Sequence, residues 1–468
     1  MTKRQSLEQM KRAQAALDLL NVNAAGLDIG ANEIFGCVPG DRDDKCIRSF
    51  GTFTVELHML ADWLQACGIE TVAMESTGVY WIPVYEVLEA RGFVVSLVNA
   101  RHLKNVPGRK TDVADCEWIQ QLHTYGLLRS SFRPDKEICG LRALVRQRQE
   151  LVRSRSRQIQ LMQKALEQMN VKLTQVVSDI TGVTGLSIMR AIVQGERDPK
   201  QLAQLRNPKC KKSEDEIALA LEGTYQFEHL FALRQALATY DFYGKQLQEC
   251  DQAIREHFED MPDAPPGDNT LPPKARTQKR RKNQPHFDLA ASLYQATGVD
   301  LTAIDGIDAL TAQIVIAEIG LDMNRWPTVK HFTSWLGLSP HNEISGGKVL
   351  RTRTKKTKNR ANSALRVAAQ ALHRNNSALG AFFRRMRAKQ GPAKAVTATA
   401  HKLARIIYYM LRDRTPYQDP GAEQYEQQHQ ERLVRNLKRR AERLGMQLIP
   451  VETLSDDTLP PLEQPLVS

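Results

Sequence analysis

Short apolar runs alternate with amphipathic runs between residues 24 and 134, and this alternation limits the fold more than any other feature. The apolar runs have the length and the flanking Gly and Asp residues of strands, while the amphipathic runs have helical spacing. The predicted elements, in order, are strands at 24–30, 33–40 and 46–55, a helix at 55–68, a strand at 71–77, a helix at 81–92, a strand at 93–100 and a helix from Thr111. An antiparallel meander followed by helix–strand alternation predicts an α/β domain.

Two long helical stretches follow this domain. Residues 141–181 contain neither Gly nor Pro, and their apolar residues recur at helical spacing. We expect one helix there, up to about 60 Å long at 1.5 Å per residue. Residues 213–260 predict a second helical stretch with weak breaks at Gly223 and Gly244. Because residues 182–212 are a short connection, the two stretches predict an antiparallel helical hairpin or coiled coil, with a plain helical bundle as the alternative.

The rest of the chain predicts a linker, a third domain and a charged tail. Residues 262–286 are Pro-rich and then basic, which is typical of a linker. Residues 287–418 are mainly helical in pattern and basic, and 301–319 look like a helix–hairpin–helix, with an ordinary helix pair as the alternative. Residues 419–468 predict a charged helix and a disordered acidic end. The domains are therefore predicted at 1–134, 135–261 and 287–418.

The charge of the chain indicates a polyanionic partner. Its 468 residues include 65 Lys and Arg against 53 Asp and Glu, a net charge of +12, which most often means nucleic acid. Aromatic residues are only 6%, which argues against a protein that binds mainly by stacking bases. No apolar run approaches the roughly 18 residues of a membrane span, so we expect no membrane association. Seven scattered cysteines without zinc spacing predict reduced thiols in a cytoplasmic protein.

Four acids of the α/β domain are placed where metal chemistry would need them. Asp28 and Glu75 each end a predicted apolar strand, and Asp112 and Asp115 lie three apart on a predicted helix, hence on one face. Each acid alone is more often a turn residue, a helix cap or a solvated charge. Together, in the order strand-Asp, strand-Glu, helix-Asp-x-x-Asp, they are typical of RNase H-like nucleases of the Holliday-junction resolvase type. Carboxylates suit Mg²⁺ or Mn²⁺, and two such ions can clamp the attacking and leaving oxygens of a phosphoryl transfer.

A second constellation lies at 339–360, SPHNEISGGKVLRTRTKKTKNR. Ser345 precedes a Gly pair in a predicted turn, and eight basic residues with no acid follow between Lys348 and Arg366. A hydroxyl beside concentrated positive charge can approach a phosphodiester closely. Ser345 alone is more often a turn residue, and a basic run alone is often a solvated face. The candidate nucleic-acid-binding residues here are Lys348, Arg351, Arg353, Lys355, Lys356, Lys358 and Arg360.

These segments resemble a known family. GLDIG, AMESTGVYWIPVYEVL and NARHLKNVPGRKTDVADCEWI look like the N-terminal RuvC-like domain of the DEDD-type insertion-sequence transposases, the "one-ten" insertion-sequence family. The third domain resembles that family's C-terminal transposase domain from LTAIDGIDALTAQIVIAEIG through GLSPHNEISGGK to NRANSALRVAAQAL. The resemblance covers about 24–134 and 298–415. It implies a bridge-RNA-guided recombinase whose fold joins an RNase H-like domain, a helical middle and a mainly α-helical C-terminal domain.

The resemblance also implies roles for residues. Asp28, Glu75, Asp112 and Asp115 would bind Mg²⁺ or Mn²⁺, while Ser345 would be the nucleophile of a covalent phosphoserine intermediate. Ser339, Ser334 and Ser363 are weaker candidates for that nucleophile, and Arg109 and Lys110 would favour phosphate near the metals. The implied partners are donor and target DNA, a noncoding bridge RNA, and further copies of the chain in a dimer or a dimer of dimers. The expected location is the cytoplasm of a bacterial or archaeal cell, with nucleoid association during transposition.

Two other functions stay open at this point. A metal-dependent RNase H-like nuclease or Holliday-junction resolvase would use the acids alone, with water as the nucleophile and Ser345 in a structural role. A non-catalytic nucleic-acid-binding protein would account for the net charge of +12 equally well. The nuclease predicts free 5′-phosphate ends without a protein–DNA adduct, whereas the non-catalytic protein predicts no manganese bound among the four acids.

Overall fold

A computed structural model describes residues 19–76, 78–99, 112–268, 271–273 and 283–448, with side chains left out at 112–114. The chain divides into two compact units, Met1–Arg133 and Pro134–Ser468, and each is treated by itself below. Among the helices of the described ranges, none combines the length and the apolar character that crossing a membrane requires. The predicted disordered end beyond 448, most of the basic part of the linker, Arg109 and Lys110 lie outside the described residues.

The first unit is the predicted α/β domain. In its described part, five strands form one sheet in the order β3-β2-β1-β4-β5. The first three strands are an antiparallel meander, and β4 and β5 add to β1 in parallel. The elements are β1 Ala24–Ile29, β2 Glu33–Cys37, β3 Ile47–Gly51, α1 Thr54–Ala66, β4 Thr71–Glu75, α2 Trp81–Ala90, β5 Val94–Val98 and α3 Asp112–Thr124. Each strand ends one to four residues before its predicted last residue, while β1, β2 and β4 start where predicted.

Helices cover both faces of this sheet. Leu27 of β1 and Met74 of β4 are fully buried in the core that α1 and α2 complete. Ala73, one residue before Met74, belongs instead to a separate cluster with Ile119 of α3. Because successive strand residues point to opposite faces, α3 lies on the face opposite α1 and α2.

Helix α3 approaches the sheet closely at Gly26. A Cβ atom there would lie 2.3 Å from the backbone nitrogen of Gln120 and 2.4 Å from the backbone oxygen of Cys116. Such distances leave no room for a side chain, so this close approach of α3 to β1 requires glycine. The contact therefore determines the position of α3 along β1.

The second unit begins with two long antiparallel helices, α4 Lys136–Gln168 and α9 Phe227–Glu259. Near the start of α4, the carbonyl oxygen of Glu137 lies 2.7 Å from Nε2 of His257, which is near the end of α9. The guanidinium of Arg155 on α4 lies 5.6 Å from the ring centre of Tyr240 on α9. Between them lie four short helices, α5 Leu173–Val176, α6 Val183–Gln194, α7 Pro199–Gln204 and α8 Glu214–Ala220. The predicted antiparallel arrangement of two long helices is therefore present.

The bounds of these helices differ from the prediction. The first ends at Gln168 rather than near residue 181, and Asn170 takes a left-handed backbone conformation with φ of 57°. The apolar spacing continues past this point because Val171 and Leu173 are buried in the cluster that closes the end of the helix pair. The second stretch breaks around Gly223 as predicted, but α9 runs unbroken through Gly244.

The remainder of the second unit is mainly helical, with one β hairpin. Its elements are α10 Leu289–Thr297, α11 Ala309–Ile319, α12 Val329–Trp335, β6 Pro340–Ser345, β7 Lys348–Thr354, α13 Arg360–Ala371, α14 Ala378–Gln390, α15 Pro392–Asp413 and α16 Ala422–Arg443, with short 3₁₀ turns at Leu301–Ala303, Met323–Arg325 and Leu372–Arg374. Phe332 of α12 and Tyr408 of α15 are buried against each other, with ring centres 5.5 Å apart. The predicted charged helix corresponds to α16.

Arginines of α4 join the helix pair to α11. Arg142 donates hydrogen bonds to the carbonyl oxygens of Ala317 and Glu318 at the end of α11, and Arg146 forms a bidentate pair with the Glu318 carboxylate. Cations at this end also complement the dipole of α11. The predicted domain borders within this compact unit stay predictions, as does the helix–hairpin–helix at 301–319, where Gly306 packs against α13.

Candidate functional site

Asp28 and Glu75 lie side by side at one edge of the sheet. The parallel register of β1 and β4 pairs Leu27 with Met74, so each acid is the next residue of its strand. Neighbouring strands are about 4.8 Å apart. Both acids are half-buried and, by strand alternation, lie on the face that α3 covers. The structure therefore brings these two predicted site residues together.

Helix α3 starts at the same edge of the sheet. Near its end, Gln120 donates a hydrogen bond to the carbonyl oxygen of Ala24, and His123 lies 2.9 Å from the Thr71 hydroxyl, both at the beginning of strands. The helix therefore runs antiparallel to β1 and β4, so its first turn is near the ends of those strands. Asp112 is the first residue of α3, and Asp115 is exposed in that turn.

Two buried thiols lie beside Gly26 of β1, near the acids. Cys37 of β2 and Cys116 of α3 share a hydrogen bond, which raises the pKa of Cys37 together with its burial. The same bond lowers the pKa of Cys116, while burial and the negative charges of Glu117 and Asp28 act in the opposite direction. The influence of Asp28 on Cys116 is a second indication that the start of α3 adjoins the end of β1.

The donor chemistry of this edge fits a hard divalent cation, because every candidate ligand is a carboxylate. Within the ranges given above, no group of three or more His, Cys, Asp or Glu side chains is close enough to hold a metal ion. The Asp112 side chain is outside those ranges, so the structure shows the adjacency of Asp28 and Glu75 and the backbone positions of Asp112 and Asp115 in the first turn of α3.

Ser345 is the last residue of β6 rather than a residue of the turn itself. It pairs with Lys348 of β7, and Gly346 and Gly347 connect the two strands with φ of 55° and 77°. Two successive positive φ values are typical of a type I′ hairpin turn, which glycine adopts most easily. Ser345 is exposed beside this turn.

The weaker serine candidates are in other surroundings. The hydroxyl of Ser339 donates to Thr333 in a half-buried position, and that of Ser363 donates to the Asn359 carbonyl in the first turn of α13. Ser334 is exposed on α12. In contrast to Ser345, these three serines lie away from the Gly–Gly turn.

Most of the predicted nucleic-acid-binding residues are solvent-exposed. The guanidinium of Arg351 also lies 3.6 Å from the carboxylate of Glu343 on the other strand of the hairpin. Arg360 is half-buried and donates to the Gln149 side chain at 2.7 Å, so it also ties α13 to α4. The exposed members of the set are Lys348, Arg351, Arg353, Lys355, Lys356 and Lys358.

This hairpin also exposes apolar side chains, which the basic pattern of the segment did not predict. Ile344, Val349 and Leu350 of the hairpin are 61%, 53% and 69% exposed. The alternation of apolar and polar residues on both sides of the Gly pair was the available signal for a hairpin.

Two family models match segments of the chain that contain these constellations. A family model described as a transposase, of the DEDD IS110 type, matches residues 25–171 and so spans the sheet, α3 and α4. A second model, described as the transposase IS116/IS110/IS902 family, matches residues 300–384 and includes the β6–β7 hairpin. No curated protein matches the chain.

The two matches define the chain as a transposase, a protein of DNA transposition and recombination. More particularly, it is a DEDD transposase of the IS110 type, in agreement with the resemblance seen in the sequence. Because a transposase acts on DNA, DNA is a partner of this chain.

Proposed function

We propose that this transposase cuts and rejoins DNA through a covalent phosphoserine at Ser345. The observation that carries the proposal is the hairpin itself: an exposed serine ends β6 next to a Gly–Gly turn, and Lys348 lies directly opposite. Side chains that face each other in an antiparallel pair are about 5 Å apart at Cβ. A phosphate that meets the Ser345 hydroxyl would therefore also meet the Lys348 ammonium.

The proposed reaction has two transfers. The Ser345 Oγ attacks the phosphorus of a phosphodiester, and the bond to one deoxyribose oxygen breaks, leaving that oxygen as a hydroxyl. A hydroxyl of another DNA end then attacks the phosphoserine, which restores the diester and the free serine. Because each step exchanges one P–O bond for another, no external energy source is needed.

We further propose an RNase H-like fold for the first unit and a metal role for its acids. The mixed sheet order, with an antiparallel meander on one side of β1 and parallel strands on the other, supports the fold. Asp28, Glu75, Asp112 and Asp115 would hold Mg²⁺ or Mn²⁺. Such a cation would bind a phosphate of the DNA backbone and neutralise part of its charge.

The proposal also includes guidance by a noncoding bridge RNA that pairs with donor and target DNA. The family resemblance supports it, together with an exposed basic segment suited to nucleic-acid backbones. We also infer that a dimer or a dimer of dimers carries out strand exchange, since donor and target ends must be held together. Sequencing RNA that co-purifies with the protein, when it is expressed with its flanking DNA, tests the guidance.

The central experiment compares Ser345→Ala with Ser334→Ala, an exposed serine away from the hairpin. Labelled DNA is incubated with each variant, Mn²⁺ and co-purified RNA, and denaturing gels detect protein–DNA adducts. We expect Ser345→Ala to abolish adducts while RNA binding persists, and Ser334→Ala to retain both. Adducts that persist in Ser345→Ala would place the nucleophile elsewhere. Free 5′-phosphate ends without any adduct in the wild type would instead favour the water-dependent nuclease.

A separate experiment tests the metal role by binding rather than by activity. Titration calorimetry should show that Mn²⁺ binds to the full-length protein. Asp28→Asn should weaken this binding, because an amide nitrogen replaces one carboxylate oxygen. Asp62→Asn, in an exposed ion pair with Arg91, is the matched control and should leave binding unchanged. Equal binding by all three proteins would remove Asp28 from the proposed metal site.

A further inference from the structure

Helix α16 has an apolar stripe that nothing in the described structure covers. None of its residues is buried, and Val434, Leu437 and Leu444 are 45%, 50% and 74% exposed. Successive positions of the stripe are three and four residues apart, which is the spacing of a coiled-coil seam. The seam positions are Gln427, Gln430, Val434, Leu437, Ala441 and Leu444.

The N-terminal part of α16 packs against α14 and α15. Tyr425 lies edge-on to Phe382 of α14, with ring centres 6.4 Å apart, and the Lys402 ammonium of α15 lies 4.9 Å from both rings. A groove between α14 and α16 is lined by Glu426, His429 and Gln430 of α16, so α14 adjoins this helix as far as its third turn. Further along, a shallow groove follows the seam and is lined by Gln427, Gln430, Glu431, Val434, Arg435 and Lys438.

The charges of α16 are separated along its length. Residues 422–431 contain three glutamates and no Lys or Arg, whereas 432–443 contain six Lys or Arg and one glutamate. The helix dipole favours acids in the first turn and bases in the last turn only. Glu431 and Lys438 are in the middle of the helix, one at each side of Val434 in the groove lining, so the dipole does not explain them.

We propose that α16 pairs antiparallel with α16 of a second copy of this chain. In this register Val434 packs against Leu437 of the second copy, Gln430 against Ala441 and Gln427 against Leu444. Glu431 then faces Lys438 of the second copy, and the two-fold symmetry makes this pair twice. A parallel pair would bring the two basic halves together, which like-charge repulsion disfavours.

The chain's own acidic end fits the groove less well than a second copy does. Residues 451–468 carry four acids and no Lys or Arg, so they could neutralise the basic half. They also contain Pro460, Pro461 and Pro465, which interrupt a helix and therefore the regular seam contacts. The proposed pairing goes beyond the strand-exchange chemistry and does not depend on Ser345 or on any metal.

Cysteine cross-linking tests the pairing and its direction in the full-length protein. Gln427→Cys and Leu444→Cys are made separately with different affinity tags, mixed and oxidised, and linked peptides are identified by mass spectrometry alongside the native cysteines. We expect a 427–444 link between the two tagged chains. Two copies of residue 427 would be about 25 Å apart, too far for a disulfide. Dominant 427–427 links, or no link at these positions, would overturn the proposal.

Charge reversal tests the predicted ion pairs in the same cross-linking assay. Glu431→Lys and Lys438→Glu should each lower the yield of the 427–444 link about tenfold, since two attractions become two repulsions. The double reversal E431K/K438E should restore it, because the charges are exchanged rather than removed. Single reversals without effect would overturn the proposal, as would a double variant that stays low. Links that appear only after residues 449–468 are deleted would assign the groove to the acidic end and also overturn it.

Discussion

Lys348 lies directly opposite Ser345 in the antiparallel ladder of β6 and β7, with only Gly346 and Gly347 between them. Opposite residues of an antiparallel pair share a face, so the Lys348 side chain lies on the same face of the hairpin as the proposed nucleophile. A cation on that face would stabilise the charge that develops on the phosphate during attack.

The first prediction concerns this cation. Lys348→Met keeps most of the side-chain length but removes the charge, and we expect adduct formation to slow about a hundredfold. Lys356→Met, an exposed lysine beyond the hairpin, is the matched control. Initial rates of adduct formation and DNA affinity are measured for both variants. A similar loss of rate in both would show that Lys348 contributes only general phosphate binding.

The second prediction concerns the contact that positions α3. Gly26→Ala would place a methyl group against the backbone of Gln120 and Cys116, atoms that cannot move without shifting the helix. We expect about 3 kcal/mol or more of destabilisation of the first unit, measured by thermal unfolding and limited proteolysis. Gly40→Ala has no atom near its new methyl group and should unfold like the wild type. A stable Gly26→Ala variant would contradict the close packing.

Sequence periodicity predicted much of the first unit because strand alternation is a local property. The pattern of β1 and β4 locates Asp28 and Glu75 at strand ends, but their adjacency depends on the parallel pairing of two strands distant in sequence. Similarly, the approach of α3 at Gly26 is a tertiary contact without a local signal other than the glycine itself.

Local sequence patterns were least reliable where a tertiary contact determines the structure. The apolar spacing after Gln168 predicted more helix, although Val171 and Leu173 are buried at the end of the helix pair instead. At Ser345, the Gly pair was correctly expected to turn the chain, but a two-residue type I′ turn leaves the serine in the strand. Glycine at 244 did not break α9, because packing against α4 stabilises that helix along its length.

The third prediction is a pH dependence in the first unit. Burial lowers the pKa of His123, so the folded protein keeps this ring neutral at pH values where the unfolded chain binds a proton. Stability is therefore fully present above the unfolded pKa of about 6.5 and is lost as the pH falls through the lower folded value. In the second unit, burial lowers the pKa of His401 on α15 as well, so that unit also loses stability as the pH falls.

Urea unfolding at pH 7.5 and 5.5 measures this effect. His123→Gln can still hydrogen-bond to Thr71 but cannot take up a proton, so it should lose less stability between the two pH values than the wild type does. His58→Gln, on α1 and exposed, is the control and should retain the full dependence. An unchanged pH dependence in His123→Gln would show that this histidine does not titrate on unfolding.

The fourth prediction concerns the ion pair that joins the long helices. Arg148 of α4 and Asp251 of α9 have side chains only 7% and 3% exposed, and Arg148 also donates to the Asn283 carbonyl at 2.8 Å. Removing one partner leaves a buried charge unpaired, so Arg148→Met should cost about 3–5 kcal/mol. The double variant R148M/D251L should be more stable than Arg148→Met, because neither charge remains. Urea unfolding midpoints measure both, with Glu259→Gln, from an exposed pair on α9, as a control of little effect. A double variant less stable than the single one would show that the pair stabilises the helices beyond compensating for its own burial.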